Sequence, residues 1–191
     1  PGTLKQCFEA NKAELSETIN TQPCLFAVDL ACAAALKDAG ISADLAAGFS
    51  LGEIAALGFT GVLSYADAFK LVVARGKAMH DCAEKNPGSM AAILGVAAET
   101  VEKFCGDIRE TGGEVWPVNY NCPGQIVTAG EPESLEALCT KAREAGGKAV
   151  KLAVSGAFHT PYMAKASEIL LDKLSQIPVS EPQIPLYANI T

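Results

Sequence analysis

The feature that most constrains this sequence is the stretch Ala46–Glu53, AAGFSLGE, which carries the pattern G-x-S-x-G. A strand that turns sharply into a helix brings its backbone close to the residues two before and two after the turn. Glycines at 48 and 52 would leave room there for contacts that a Cβ would block. Ser50 would project from the tip, beside the unpaired N–H groups at the positive end of the next helix. The pattern predicts a nucleophilic serine with an oxyanion site; the alternative is a serine that only caps the helix.

Composition limits the classes of protein to consider. The 191 residues are 49% hydrophobic and 19% charged, as in a globular chain with a sizeable core. The net charge of −7 argues against non-specific nucleic-acid binding. We see no apolar run long enough to span a bilayer and no signal peptide, and therefore expect a cytoplasmic protein without a membrane partner. The chain opens at Pro1 without an initiator Met, as a fragment would.

Metal and disulfide sites are not indicated. The seven cysteines are odd in number, scattered and never spaced C-x-x-C, which favours reduced cytosolic thiols. His80 and His159 are the only histidines. We therefore expect no metal site and no bound cofactor.

The first part of the chain is predicted to be mostly helical around one short strand. The predicted elements are an amphipathic helix Leu4–Ile19, a buried apolar helix capped by Thr21 and ending near Ala39, a strand Ile41–Gly48, a helix Leu51–Gly58, and a helix that a Ser64-x-x-Asp67 capping box opens and that runs to about Glu84.

Residues 88–154 follow a different pattern, β-α-β-β-α-β, which is the ferredoxin-like order. The predicted strands are Met90–Val96, Val115–Asn121, Gln125–Ala129 and Lys148–Val154, and the helices are Glu99–Glu110 and Pro132–Ala145. A turn at 155–158, a helix from Thr160 to about Gln176 and a strand Leu186–Ile190 follow. The predicted fold is α/β, with an α/β-hydrolase-like, parallel-sheet main body (1–87 and 155–191) and an inserted ferredoxin-like subdomain (88–154).

Two further side chains are candidates for chemistry. Arg75 lies at the edge of the buried stripe of its helix, where a guanidinium needs an acceptor: it either grips a substrate carboxylate or forms a structural salt bridge. His159 stands just before a helix N-terminus, whose dipole favours a neutral ring able to accept a proton from Ser50. His80 is interpreted as a surface residue.

Four linked motifs resemble one known family. They are Gly48-Phe49-Ser50-Leu51-Gly52-Glu53, Arg75-Gly76-x-x-Met79, Asn119-Tyr120-Asn121-x-Pro123-Gly124-Gln125 and Ser155-Gly156-Ala157-Phe158-His159-x-Pro161-x-Met163. In order and spacing they resemble the malonyl-CoA:acyl carrier protein transacylases of type II fatty acid synthesis, from about Thr21 to Thr191.

The resemblance implies a ping-pong acyl transfer. Ser50, activated by His159, would attack the malonyl thioester of coenzyme A, and the Leu51 N–H would hold the oxyanion. Arg75 would bind the malonyl carboxylate, with Met79 and Asn119 also in the substrate site. Phe158 would restrict the space beside the acyl α-carbon, so that malonyl fits and methylmalonyl fits poorly. The malonyl group would then pass to the phosphopantetheine thiol of acyl carrier protein.

The sequence departs from the family at several points. The family usually has His where Phe49 stands. An N-terminal strand with a G-Q-G-x-Q-type motif has no counterpart before Cys7, and a C-terminal segment that orients the catalytic histidine has none after the last strand. The resemblance therefore covers the central portion of such an enzyme, and we expect these residues alone to turn over substrate poorly.

Two other functions remain open from the sequence. A serine hydrolase, an esterase or thioesterase, would need an acidic residue between Ser and His in chain order, and neither the inserted unit nor Arg75 is its signature. Patatin-like lipases carry a D-G-[GA] motif that is absent here. A non-catalytic module that binds acyl carrier protein is the other alternative, although the acidic net charge opposes docking of an acidic carrier.

Overall fold

The computed structural model describes residues 2–154 and 156–189. They belong to two compact units, Pro1–His80 with Ala166–Thr191, and Asp81–Lys165. The α-helices are α1 (Thr3–Glu9), α2 (Lys12–Ser16), α3 (Thr18–Asp38), α4 (Leu51–Phe59), α5 (Tyr65–Lys85), α6 (Ala98–Glu110), α7 (Pro132–Glu144) and α8 (Ala164–Ser175). The strands are β1 (Ala46–Ala47), β2 (Ser89–Leu94), β3 (Val115–Cys122), β4 (Gln125–Gly130), β5 (Lys148–Lys151) and β6 (Leu186–Tyr187), and a 3₁₀ helix Pro161–Met163 precedes α8. The α/β class is as predicted.

The first unit contains a short parallel pair of strands. Ala46 pairs with Leu186 and Ala47 with Tyr187. The predicted strand Ile41–Gly48 is therefore too long, because only two of its residues have a hydrogen-bonding neighbour. The predicted last strand ends at Tyr187 for the same reason, and its predicted terminus Ile190 lies outside the described residues. The length of a strand depends on the strand that pairs with it, and the local sequence carries no information about that partner.

The helices before β1 differ from the prediction. The predicted helix Leu4–Ile19 is two helices, because the Asn11 side chain accepts the Glu14 N–H at 3.0 Å and starts α2 anew. Helix α3 begins at Thr18. Thr21, the predicted cap, lies inside it and its hydroxyl donates to the Glu17 carbonyl at 2.9 Å.

Helix α3 is far less buried than its composition predicted. Its buried residues are Gln22, Pro23, Cys24 and Phe26, whereas Leu25 and Leu36 are exposed. By length and composition alone it is also the one helix among the described residues that could cross a membrane. The sequence had indicated no apolar run of that length, and Asp29 does interrupt the apolar residues of α3; a core helix passes the same test of length and composition.

The core of the first unit lies beneath the helix that follows Ser50. Phe26 of α3, Leu51 and Ile54 of α4, and Val72 of α5 are buried in one cluster with Leu63. Helix α5 begins as predicted: the Ser64 Oγ accepts the Asp67 N–H at 3.1 Å and donates to the Asp67 carboxylate at 2.7 Å. This packing fixes α4, and with it the turn that carries Ser50.

A substitution in this core should lower stability without touching the polar site. Leu63 is 2% exposed, so Leu63→Ala leaves a cavity and is expected to lower the free energy of unfolding by about 2–5 kcal/mol. Leu171, which is 70% exposed, is the matched control, and Leu171→Ala should change the free energy of unfolding by less than about 0.5 kcal/mol. Denaturant midpoints at unchanged m-values test this; equal midpoints for both variants would contradict the assigned core.

The second unit is a four-stranded antiparallel sheet with two helices. The strand order is β3-β4-β2-β5, and every neighbouring pair is antiparallel. Helices α6 and α7 contribute Val101, Cys105, Leu135 and Leu138 to a core cluster with the sheet. The register of β3 shifts after Pro117, which has no N–H to donate to its neighbour.

Candidate active site

The turn that carries Ser50 has the geometry of a strained elbow. Strand β1 ends at Ala47 and α4 begins at Leu51, so the chain reverses within three residues. Ser50 has φ 53° and ψ −101°, a conformation costly for a residue with a side chain. Its side chain does not cap α4. The simpler interpretation of Ser50 as an ordinary helix cap is therefore wrong.

The two glycines of the motif differ in what they permit. A Cβ on Gly48 would lie 2.0 Å from the backbone C and O of Gly52, so only glycine fits where the strand passes the first turn of α4. A Cβ on Gly52 would meet nothing within 4 Å. The sequence-based claim that both glycines avoid a clash is correct for Gly48 and wrong for Gly52.

Arg75 reaches Ser50 from helix α5. Its Nη2 donates to the Ser50 Oγ at 3.0 Å, and its Nη1 donates to the Gln22 Oε1 at 2.7 Å. Burial lowers the pKa of Arg75, and the negative charge of Glu53 opposes that shift. Both of these hydrogen bonds go to neutral oxygen atoms, so the guanidinium retains its charge for an anionic ligand.

Gln22 supports this arrangement from within α3. Only 5% of it is exposed, and its Nε2 donates to the Met79 Sδ at 3.4 Å while its Oε1 accepts from Arg75. Met79 is buried, and one helical turn separates it from Arg75 on α5. The amide thereby holds the Arg75 side chain toward Ser50.

Asn189, just beyond β6, contacts the elbow from the other side. Its Oδ1 accepts the Ser50 N–H at 3.1 Å, and its Nδ2 donates to the Gly48 carbonyl and, at 3.0 Å, to the Glu53 Oε2. Its backbone N–H donates to the Glu53 Oε1 at 3.3 Å. The segments that follow β1 and β6 are thus joined to the first turn of α4 around Ser50.

A cavity of about 540 Å³ borders the elbow. Its walls come from α3, β1 and α4 and include Leu25, Phe49 and Gly52. Arg75 is not among its lining residues, so this cavity is not where the cation next to Ser50 lies.

The remaining predicted site residues belong to the second unit. His159 is exposed and has φ 63°. The next residue, Thr160, is buried; its hydroxyl donates to the Ala157 carbonyl at 2.6 Å and accepts the Tyr162 N–H, capping the 3₁₀ helix. The predicted turn at 155–158 begins with Ser155, which lies outside the described residues.

Phe158 and Asn119 also lie in this unit. Phe158 packs against a buried cluster that includes Met90, Val127 and Ala157. Asn119 pairs with Val127 in the β3–β4 ladder, at the register shift after Pro117. Core packing, the simpler function considered for Phe158, is therefore observed.

The structure thus brings Ser50, Leu51, Arg75 and Met79 together in the first unit. The pairing of Ser50 with His159 stays a prediction. Across residues 2–154 and 156–189, no group of three His, Cys, Asp or Glu side chains is arranged to hold a metal ion.

Sequence reasoning missed Gln22 and Asn189 and gave Glu53 no role. Gln22 carried a usable signal, because it is a polar residue on the buried side of an apolar helix. Asn189 had no local signal, since it is 139 residues from the serine whose N–H it accepts.

Comparison with known proteins identifies the family. The family model described as "Acyl transferase domain" matches residues 3–191. This chain belongs to the acyl transferase domain family. The match also includes residues before Thr21, where the resemblance found in the sequence began.

Individual members of the acyl transferase domain family agree with this assignment. Malonyl CoA-acyl carrier protein transacylase of Bacillus subtilis (strain 168) is 38% identical over 185 residues, which cover 96% of this chain and 58% of that protein. The solved acyl-carrier-protein S-malonyltransferase of Burkholderia pseudomallei 1710b has a TM-score of 0.92 at 37% identity, covering 98% of this chain and 62% of that one. A malonyl-transacylase solved in complex with a type II PKS acyl-carrier protein has a TM-score of 0.92 at 35% identity, covering 98% and 61%. The chain thus spans about 60% of the length of these relatives.

Proposed function

We propose that this protein transfers a malonyl group from coenzyme A to the phosphopantetheine thiol of acyl carrier protein, as an [acyl-carrier-protein] S-malonyltransferase of fatty acid biosynthesis. Ser50 is the nucleophile. The reaction proceeds through a malonyl-serine ester, so the acyl group is held covalently while coenzyme A leaves and the carrier thiol arrives.

The observation that carries this proposal is the hydrogen bond from Arg75 to the Ser50 Oγ at 3.0 Å. A partly buried guanidinium next to a nucleophile favours an acyl group that itself carries a negative charge. Malonyl has a carboxylate at the end opposite its thioester carbonyl. In the complex that carboxylate takes the donors of Arg75 as a bidentate partner, and the neutral acetyl group cannot.

The chemical step needs two further groups. His159 accepts the Ser50 proton as Oγ attacks the thioester carbonyl, and the Leu51 N–H stabilises the oxyanion of the tetrahedral intermediate. Collapse of that intermediate breaks the C–S bond, and His159 gives its proton to the departing sulfur, so that coenzyme A leaves as a thiol. Attack by the carrier thiol on the malonyl-serine ester then repeats these steps in the reverse direction.

The substrate site includes three more residues in this proposal. Met79 supports the carboxylate-binding arginine through Gln22, whose contacts to both are direct. Asn119 and Phe158 line the space that holds the acyl group. Phe158 restricts that space beside the α-carbon and so disfavours the branched methylmalonyl group.

The partners are malonyl-CoA and acyl carrier protein, with no nucleic acid and no membrane. The location is the cytoplasm, since a coenzyme A thioester and a carrier protein are both soluble reactants. Coenzyme A takes part as the substrate thioester, and the mechanism uses no metal and no cofactor.

The proposed architecture follows the family. Residues 1–87 and 155–191 form an α/β-hydrolase-like body, and residues 88–154 form a ferredoxin-like subdomain inserted in it. The antiparallel order β3-β4-β2-β5 with helices α6 and α7 supports the subdomain assignment.

The test is the intact mass of the protein after brief mixing with malonyl-CoA. We expect a malonyl adduct that maps to Ser50, is absent from Ser50→Ala, and leaves when holo acyl carrier protein is added. An adduct lost to water at the same rate with and without the carrier would identify a hydrolase instead. Carrier binding that survives Ser50→Ala, without any adduct on the wild type, would identify a binding module.

A further inference from the structure

The first turn of α4 carries the sequence of a capping box but not its hydrogen bonds. In a capping box S-x-x-E, the serine side chain accepts an N–H of the first turn and the glutamate side chain accepts the N–H of that serine. Ser50 and Glu53 have this spacing. Here, however, Ser50 does not cap the helix with its side chain, and its N–H donates to Asn189 instead.

Asn189 stands between the two members of that box. It accepts the Ser50 N–H through Oδ1 and donates to Glu53 through both Nδ2 and its backbone N–H. A carboxylate and a carbonyl oxygen, of Glu53 and Gly48, face the amide nitrogen, and a donor faces the amide oxygen. This pattern needs a donor and an acceptor on one side chain, which an asparagine has and an aspartate lacks.

The bridge has a consequence for Ser50. Because Asn189 satisfies its N–H, Ser50 can hold φ 53° instead of the conformation of an ordinary cap, and its Oγ is directed to Arg75 rather than to the helix. The same bridge fixes the Glu53 carboxylate, whose charge favours the protonated form of Arg75.

We propose that Asn189 and Glu53 are positioning residues that replace the capping box and hold Ser50 in its strained, reactive conformation. This inference rests on the proposed function only in the choice of malonyl-CoA as the acyl donor. The reactivity of Ser50, which depends on its orientation, can be measured with a reagent that carries no malonyl group.

The experiment compares four variants with the wild-type protein: Asn189→Ala, Asn189→Asp, Glu53→Gln and the double variant Asn189→Asp/Glu53→Gln. Asn11→Ala is the matched control, because Asn11 is also an exposed asparagine whose Oδ1 accepts a backbone N–H, at 3.0 Å. Two rates are measured, malonylation of Ser50 across malonyl-CoA concentrations and labelling of Ser50 by a fluorophosphonate, together with the melting temperature.

Asn189→Ala should lower both maximal rates by about tenfold or more, the effect of losing a hydrogen bond to a charged group together with two neutral ones, and leave the half-saturating malonyl-CoA concentration nearly unchanged. Asn189→Asp should be equally slow, because its carboxylate faces that of Glu53. The double variant should recover part of the rate, since the amide introduced at position 53 can donate to the carboxylate introduced at position 189, whereas the Gly48 carbonyl stays without its donor. Asn11→Ala should match the wild type in both rates.

Wild-type rates in Asn189→Ala would overturn the inference, as would a double variant no faster than Asn189→Asp. A wild-type protein that reacts with the fluorophosphonate but not with malonyl-CoA would refute the proposed function. In that case the fluorophosphonate rates alone decide the role of Asn189.

Discussion

Replacing Arg75 with alanine is expected to lower the rate of Ser50 malonylation by about a hundredfold or more. The guanidinium donates to the Ser50 Oγ at 3.0 Å and is partly buried, so few solvent molecules would take its place beside a substrate carboxylate. Hydrogen bonds to charged groups contribute about 1.5–3 kcal/mol each, and about 1.4 kcal/mol is a factor of ten. The measurement is the adduct formed from malonyl-CoA as a function of time, by intact mass.

Acetyl-CoA is the control substrate for this variant. Acetyl lacks the carboxylate, so Arg75→Ala should slow malonyl transfer far more than it slows acetyl transfer. The ratio of the malonyl rate to the acetyl rate should therefore fall. The malonylation rate of Arg75→Lys should lie between those of the wild type and Arg75→Ala, because lysine keeps the charge and lacks the planar guanidinium. An equal loss with both substrates would mean that Arg75 supports the structure around Ser50 and does not recognise the carboxylate.

Alanine at Gly48 should be far more damaging than alanine at Gly52. The Cβ at 48 would lie 2.0 Å from backbone atoms of Gly52, which cannot move without displacing the first turn of α4. We expect Gly48→Ala to lose more than about 4 kcal/mol of unfolding free energy or to fail to fold. Gly52→Ala meets open space at the start of a helix and should change stability by no more than about 1 kcal/mol.

Thermal unfolding of the two variants checks this prediction, and fluorophosphonate labelling of Ser50 in Gly52→Ala checks whether the elbow is intact. Similar melting temperatures for the two variants would contradict the close approach of β1 to α4. The pair is matched, because both changes add one methyl group within the same motif.

Much of the fold could be predicted from local pattern. The helix that opens at Ser64 follows from its capping box, and the order of strands and helices in the second unit follows from their spacing and from the glycines between them. The last of these strands is shorter than predicted, because β5 ends at Lys151 and not at Val154. The misses lie where distant segments decide the outcome. Strand β1 has only two residues because β6 offers only two partners, and α3 leaves Leu25 and Leu36 exposed although its composition suggested burial.

The candidate site shows the same division. Ser50 and Arg75 were predicted from the motif and from helical periodicity, and the structure brings them into contact. Gln22 and Asn189 were missed, because an amide has no short motif around it and each meets its partner across 53 and 139 residues of chain, respectively. Only the fold brings such residues together.

The backbone conformation of Ser50 also limits how this protein could be made more robust. Among the described residues, Ser50 and His159 are the non-glycine residues with positive φ, a conformation that glycine adopts readily. Relieving such strain is a common route to higher stability, with roughly 1–3 kcal/mol stored at each site. A selection for thermal tolerance alone would therefore favour glycine at the two positions proposed to perform the chemistry. In this chain, thermal stability and reactivity therefore favour different residues at the same two positions.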